Sequence, residues 1–263
     1  MTYLNAVILG ILQGITEFLP VSSSGHLVLF QHLFKMKSSL LLNVALHFGT
    51  LGAIVFYYRN DIMDLAGVFF KRYLQGNQQQ PEKVTLIWKI IAATLITASI
   101  GLLLKSPIEK LYYGKNTGIW LGLTFIITAT LLFFTTFVGK LKYDQVSWLQ
   151  AILIGTVQGF AVLPGISRSG ITIALALFLG IKSSEASRFS FLLAIPAIIG
   201  ATLLEIRNLN QINYPLPLLL GVFAAFFSGF LSLIFLIKLI NKGKLNWFAY
   251  YLLPLGVFTF FYL

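Results

Sequence analysis

The sequence predicts an all-α polytopic membrane protein with inverted-topology repeats and two re-entrant (broken) helical segments. Three observations lead there. The 263 residues are 57% apolar and only 10% charged, against about 25% charged in an ordinary soluble domain; with a mean hydropathy of +0.86, water is not the main solvent for this surface. Apolar runs of about 20 residues recur from end to end, the length a helix needs to cross roughly 30 Å of hydrocarbon. The runs are continuous rather than alternating, which argues against a β-barrel. Finally, polar Pro/Ser/Gly stretches break the pattern twice, and the two breaks match each other.

In chain order, apolar helical segments are expected at 2–19, 27–34, 41–58, 85–104, 117–138, 147–163, 171–181, 189–206, 216–237 and 247–263. The polar stretch 59–84 ends in Gln75, Gln78, Gln79 and Gln80 before Pro81, and reads as a loop with a short interfacial helix around Leu65–Tyr73. Two segments are too short to cross: at about 1.5 Å per residue, 27–34 is roughly 12 Å long and 171–181 roughly 16 Å. Each follows a longer apolar segment across a polar break, Pro20-Val21-Ser22-Ser23-Ser24-Gly25-His26 and Pro164-Gly165-Ile166-Ser167-Arg168-Ser169-Gly170. Non-helical backbone at membrane depth survives only where protein or a water-filled cavity satisfies its polar groups. These segments are therefore re-entrant hairpins or broken spanning helices, and the sequence leaves both open.

Gly10, Gln13, Gly14, Ser22, Ser24 and Gly25 recur 145 residues later as Gly155, Gln158, Gly159, Ser167, Ser169 and Gly170, with the proline displaced by one position, Pro20 against Pro164. The recurrence suggests a duplication within one integral membrane domain, 1–263, with repeats of about 1–140 and 141–263. Paired interrupted segments in two halves point to an inverted repeat around a central site. With both short pairs re-entrant, eleven basic residues fall on one side (Arg59, Lys71, Arg72, Lys83, Lys140, Lys142, Lys182, Arg188, Lys238, Lys242, Lys244) and six on the other (Lys35, Lys37, Lys105, Lys110, Lys115, Arg207). The richer side should be cytoplasmic, which puts both termini outside and inverts one half against the other. The formal net charge of +11 is thus read as topology rather than nucleic-acid binding. With no cysteine in the chain, disulfides and thiolate metal sites are excluded. The N-terminus lacks the basic start and small-residue cleavage site of a removable signal peptide.

Few residues are placed to do chemistry. Glu17 is a carboxylate in an apolar segment, a costly placement that by default marks a function; Gln13, four residues earlier, shares its helical face. A protonated or hydrogen-bonded structural carboxylate is the alternative. Arg168, between Ser167 and Ser169, needs an anionic partner, either Glu17 or a ligand phosphate, and its planar fork suits phosphate. Ser22, Ser23 and Ser24 lead into one short helix, and Ser167 and Ser169 into the other. Serine is a favoured N-cap, but helix N-termini also bind phosphate through free N–H groups and partial positive charge, so two of them could converge on one diphosphate. His26, nine residues after Glu17 in a break that could fold back toward it, suits proton transfer. His32 and His47 have no such company and are read as structural.

These residues carry a resemblance. Leu12-Gln13-Gly14-Ile15-Thr16-Glu17-Phe18-Leu19-Pro20-Val21-Ser22-Ser23-Ser24-Gly25-His26 closely resembles the first signature of the undecaprenyl-diphosphate phosphatase family, also known for bacitracin resistance. Pro164 to Gly170 resembles its second, and Arg188 to Pro196 also looks like family sequence. The likeness covers essentially the whole chain. It implies a helical inverted-repeat fold in the bacterial inner membrane, with two re-entrant segments. It implies removal of the terminal phosphate of undecaprenyl diphosphate, recycling the lipid carrier for peptidoglycan synthesis. It implies a divalent cation, Mg2+ or Ca2+, on Glu17. The family's acidic pair falls on Gln13 and Glu17, so this chain has one negative charge fewer there. By the same resemblance Glu17, Ser23, His26 and Arg168 are catalytic, with Ser23 the proposed nucleophile. Gln13, Ser22, Ser24, Gly25, Gly165, Ser167, Ser169 and Gly170 are expected to line the diphosphate at the two helix N-termini, and by the resemblance Asp144 falls where the family often has an aspartate. Expected partners are the polyprenyl diphosphate, membrane lipids and a second copy in a homodimer.

Attack by Ser23, with His26 or Glu17 taking its proton, is the expected chemistry; attack by water or by His26 stays open. A lipid or anion transporter (flippase) on the same repeat is the rival function, since fold does not fix function. The membrane phosphatases with a histidine nucleophile share Ser24-Gly25-His26, but they need a second histidine after Ser167-Arg168, and none follows.

Overall fold

The computed structural model describes residues 3–33, 40–74, 80–112, 116–206 and 215–263. Phe34, Lys35, Lys37, Gln75, Gln78, Gln79, Lys115 and Arg207 lie outside the described residues, as do the side chains of His32, Lys105 and Lys110. The described residues form helices α1 (Tyr3–Phe18), α2 (Ser23–Leu33), α3 (Leu40–Tyr57), α4 (Arg59–Leu74), α5 (Pro81–Tyr112), α6 (Thr117–Phe134), α7 (Trp148–Phe160), α8 (Arg168–Phe178), α9 (Ser183–Ile206), α10 (Pro215–Asn241) and α11 (Trp247–Tyr262). A single 3-10 turn, Thr135–Phe137, extends α6. Extended pairing among the described residues is limited to one parallel bridge, Tyr143 to Ile181.

Four stretches among the described residues are long and apolar enough to cross a membrane: Pro81–Leu104, Thr117–Phe137, Ser183–Leu204 and Leu216–Asn241. The outer surface is apolar, with Leu95, Leu103, Phe227, Leu231 and Tyr262 among many large exposed side chains. Together these make it a multi-pass membrane protein, as the composition predicts.

Three expectations need correcting. The stretch 59–84 is mostly helix: α4 runs the full Arg59–Leu74, with Asp61 in its first turn and Lys71 and Arg72 in its last, which complements the helix dipole. α5 starts at Pro81, not 85, because proline is well placed at a first helical position whose N–H has no intrahelical partner. The short helices start earlier than 27 and 171. Ser22 Oγ accepts from Gly25 N at 3.2 Å and Ser167 Oγ from Gly170 N at 3.2 Å, so each caps its helix and puts Ser23 and Arg168 inside the first turn.

Small residues let the helices approach closely, the usual device where lipid removes the hydrophobic drive. α1 packs along α10, α7 along α5, α6 along α11, and α3 against both α10 and α9. A Cβ on Gly14 would lie 2.6 Å from the Ala225 carbonyl oxygen of α10, and one on Gly155 would lie 2.7 Å from the Ala93 Cα of α5. Gly118 and Gly122 of α6 seat α11 in the same way. The core between the helices holds Phe18, Phe125, Phe189, Phe191 and Ile173, each at most 1% exposed.

Candidate active site

The two breaks interlock at the centre of the helices. Ser22 adopts φ +68°, a left-handed conformation that costs a non-glycine residue energy and persists only when its surroundings hold it. What holds it is visible: its hydroxyl accepts from Gly25 N and also, at 3.0 Å, from Gly165 N in the other break. Gly165, at φ +90°, has Thr124 packed where a side chain would begin; Thr124 Oγ1 donates to the Pro164 carbonyl at 2.6 Å and Thr128 Oγ1 to the Gly165 carbonyl at 3.0 Å. Reciprocally, Ser169 Oγ donates to the Phe18 carbonyl at 2.8 Å, at the end of α1. A Cβ on Gly25 would meet Phe125 at 2.7 Å and Gly165 N at 2.8 Å, and one on Gly170 would lie 3.1 Å from Pro20 Cβ. These small residues are what allow the two N-termini to close on one another.

Glu17 stands where they meet. Ser23 Oγ donates to its Oε2 at 2.6 Å, Gln13 Nε2 donates to the same oxygen at 3.0 Å, and Arg168 Nη2 donates to Oε1 at 2.8 Å. The side chains of Glu17 and Arg168 are only 8% and 14% exposed. A buried carboxylate and guanidinium each cost several kcal/mol in desolvation, which only close pairing offsets. The structure therefore brings Gln13, Glu17, Ser23 and Arg168 together from both halves of the chain. Two polar atoms of this cluster are buried without a hydrogen-bond partner among the described residues: Arg168 Nη1 and Gln13 Oε1. An unsatisfied buried polar atom costs about 1–3 kcal/mol, so these two are the atoms of the cluster with hydrogen-bonding capacity to spare.

The remaining predicted residues divide. Ser22 and Ser167 are caps, and Ser24 and Ser169 sit beside them at Oγ–Oγ distances of 3.4 and 3.3 Å. His26 does not turn to Glu17. Its Nδ1–H donates to the Ser22 carbonyl at 2.8 Å, while its Nε2 is 2.8 Å from the Tyr251 hydroxyl of α11, with the two rings stacked. It braces the strained Ser22 rather than approaching Ser23 Oγ. Asp144 pairs with Lys182 at 2.7 Å and is exposed. His47, which the sequence left as structural, comes within 3.8 Å of Glu17 Oε2 through Nε2. The only local signal for it was the one that singled out Glu17, a polar side chain in an apolar helix.

No group of three or more His, Asp or Glu side chains forms a metal cluster among the described residues. Both oxygens of the Glu17 carboxylate are engaged, Oε2 by Ser23 and Gln13 and Oε1 by Arg168, so a cation there would have to displace one of these partners and draw its remaining ligands from water and substrate phosphate.

Comparison with known proteins gives a consistent result. Residues 6–258 match the family model described as bacitracin resistance protein BacA. The chain is 40% identical to the undecaprenyl-diphosphatase of Carboxydothermus hydrogenoformans, over 98% of this chain and 96% of that one. It is 41% identical to the undecaprenyl-diphosphatase of Desulfatibacillum aliphaticivorans, over 95% of each, and 40% identical to that of Methanosphaera stadtmanae, over 97% and 96%.

Proposed function

The chain belongs to the bacitracin resistance protein BacA family, and on that premise we propose that the Glu17 cluster is where it removes the terminal phosphate of undecaprenyl diphosphate. The reaction yields undecaprenyl phosphate and orthophosphate, which returns the lipid carrier to peptidoglycan synthesis and accounts for bacitracin resistance. The observation that carries the site assignment is the convergence of Ser23 Oγ and Arg168 Nη2, from two helix N-termini, on the two oxygens of one buried carboxylate.

Each group then has a task. The orphaned Nη1 of Arg168 takes a phosphate oxygen, and the first-turn N–H groups of α2 and α8 share the remaining negative charge. Glu17 Oε2, already accepting the Ser23 hydroxyl, receives its proton as Oγ attacks the terminal phosphorus. The Oγ–P bond forms, the bond from that phosphorus to the bridging oxygen breaks, and undecaprenyl phosphate leaves. Water then attacks the phosphoserine, the P–Oγ bond breaks, and Glu17 returns its proton to Oγ as orthophosphate departs. A divalent cation, Mg2+ or Ca2+, would be held by Glu17 and, when bound, would help neutralise the diphosphate charge. Ser22, Ser24, Gly25, Gly165, Ser167, Ser169 and Gly170 shape the cradle, and His26 holds its first turn in place.

The inverted repeat belongs to the same proposal, and the helix pairings support it. Exchanging α1 with α7, α3 with α9, α5 with α10 and α6 with α11 turns the α1–α10 contact into α7–α5 and the α3–α10 contact into α9–α5, while α6–α11 and α3–α9 map onto themselves; all of these contacts occur. In that arrangement α1–α2 and α7–α8 are the re-entrant pairs, the termini face outside, and the membrane is the bacterial inner membrane. A homodimer is compatible with the broad apolar surface.

The test is phosphate release from undecaprenyl diphosphate by the purified chain in detergent, with and without EDTA, beside Arg168→Ala. Release that EDTA abolishes, and that a folded Arg168→Ala variant lacks by at least about a hundredfold, is expected. Undiminished release by Arg168→Ala would remove the site assignment.

A further inference from the structure

We propose that Tyr251 is a positioning residue for the phosphatase reaction: through His26 it fixes the peptide that carries Ser23. The proposal rests on the reading of this site as a diphosphatase with Ser23 at its centre, and extends that site to α11, a helix outside both signatures.

The chain of contacts ends at the Ser22 carbonyl. That oxygen accepts twice from His26, from its backbone N–H at 3.1 Å and from Nδ1 at 2.8 Å. The Ser22 carbonyl and Ser23 N belong to one planar trans peptide. Holding the oxygen down the axis of α2 therefore turns the Ser23 N–H the opposite way, out of the helix N-terminus, and sets the direction in which the Ser23 side chain departs. Ser22 is itself strained at φ +68°, so this peptide plane relaxes unless its surroundings hold it. The other break is braced directly: Thr124 and Thr128 of α6 donate to the Pro164 and Gly165 carbonyls. The Ser22 carbonyl is served by His26 instead, and α11 reaches it through that ring.

His26 is in turn held from outside the break. A carbonyl only accepts, so Nδ1 carries a proton. The residue is buried, and its ring nitrogens meet a carbonyl and a hydroxyl rather than a carboxylate, so the ring is neutral and Nε2 accepts from the Tyr251 hydroxyl at 2.8 Å. The Tyr251 ring stacks on the imidazole at 5.8 Å between centroids, and Phe125 of α6 meets it edge-on at 5.6 Å. The two aromatic rings set the plane of the imidazole. The hydroxyl sets which edge of it faces Ser22: without that bond a buried Nε2 loses its partner, and the pull that keeps Nδ1 on the carbonyl goes with it.

The test is steady-state phosphate release from undecaprenyl diphosphate by the full chain in detergent. Tyr251→Phe keeps the stacked ring and removes the hydroxyl. It should lower kcat at least about tenfold, as a small misplacement at the reacting centre does, with KM within about twofold of wild type and the thermal midpoint unchanged. Tyr250→Phe, at the exposed neighbouring position, should match wild type. His26→Asn puts an amide N–H where Nδ1 stands but does not reach Tyr251, so adding Tyr251→Phe to it should cost nothing further. Nitrogen NMR of histidine-labelled protein reads the same link without turnover, as a His26 Nε2 resonance that moves in Tyr251→Phe. An unchanged kcat in Tyr251→Phe, a loss confined to KM, a loss that follows a fallen thermal midpoint, an equal loss in the two backgrounds or an unmoved Nε2 resonance would each overturn the proposal. No release by wild type would overturn the phosphatase reading and the proposal with it, whereas release by wild type with Tyr251→Phe at full rate overturns the proposal alone.

Discussion

Ser23 and Arg168 stand 145 residues apart in the sequence, at the first helical positions of α2 and α8, yet they do different work. Both reach Glu17, and the residue 145 positions after Glu17 is Val162, so the scaffold is paired while the chemistry is one-sided. One half supplies hydroxyl and carboxylate, the other the cation. In the proposed site Arg168 needs its fork: one nitrogen holds Glu17 while the other, buried without a partner among the described residues, would take phosphate. Arg168→Lys keeps the charge and loses that division, so turnover should fall by about a hundredfold even where the variant folds normally, measured as initial phosphate release. Glu17 and Arg168 were legible because each is a charged residue in an apolar context, where an unpaired group is costly, whereas Ser23 was singled out from its neighbouring serines only by the family resemblance. The destination of His26 was not, because Tyr251 lies 225 positions away and only the packing of α11 brings it near. His47 was missed for the same reason: its approach to Glu17 depends on α3 lying beside α1, which no local pattern encodes.

At the scale of the helix, the two short elements are set by their caps and the long ones by their small residues. Gly10 and Gly14 seat α1 on α10, and their counterparts Gly155 and Gly159 seat α7 on α5. A side chain at Gly155 has nowhere to go, since Ala93 backbone and Cβ atoms lie within 2.9 Å of its first carbon. Gly155→Val should therefore destabilise the chain by about 1–3 kcal/mol, read as a lower thermal midpoint in detergent. Gly67→Ala on α4, where a Cβ meets nothing within 4 Å, should leave the midpoint unchanged. Most helices were legible from apolar run length. α4 was underestimated because its exposed polar residues, including Asp64 and Lys71, break the apolar run without breaking the helix. The early start of α5 was hidden because Pro81, Glu82 and Lys83 look like loop residues and are good helix-opening ones.

For the whole molecule, the account is that two interlocked half-helix N-termini make one phosphatase site, with the chain's termini outside. Because the chain has no cysteine, single cysteines report topology cleanly. Lys71→Cys on α4 should react with a membrane-impermeant maleimide only after the cells are opened, and Leu263→Cys should react in intact spheroplasts; the reverse pattern would invert the orientation. The claim at the centre is that Ser23, activated by Glu17, attacks the terminal phosphate. It is tested most directly by the rate of phosphate release from undecaprenyl diphosphate by Ser23→Ala, measured beside wild type with both shown to be folded. A loss of at least about a thousandfold is expected for removal of the nucleophile. Release within a few-fold of wild type would contradict the account and transfer the attack to water.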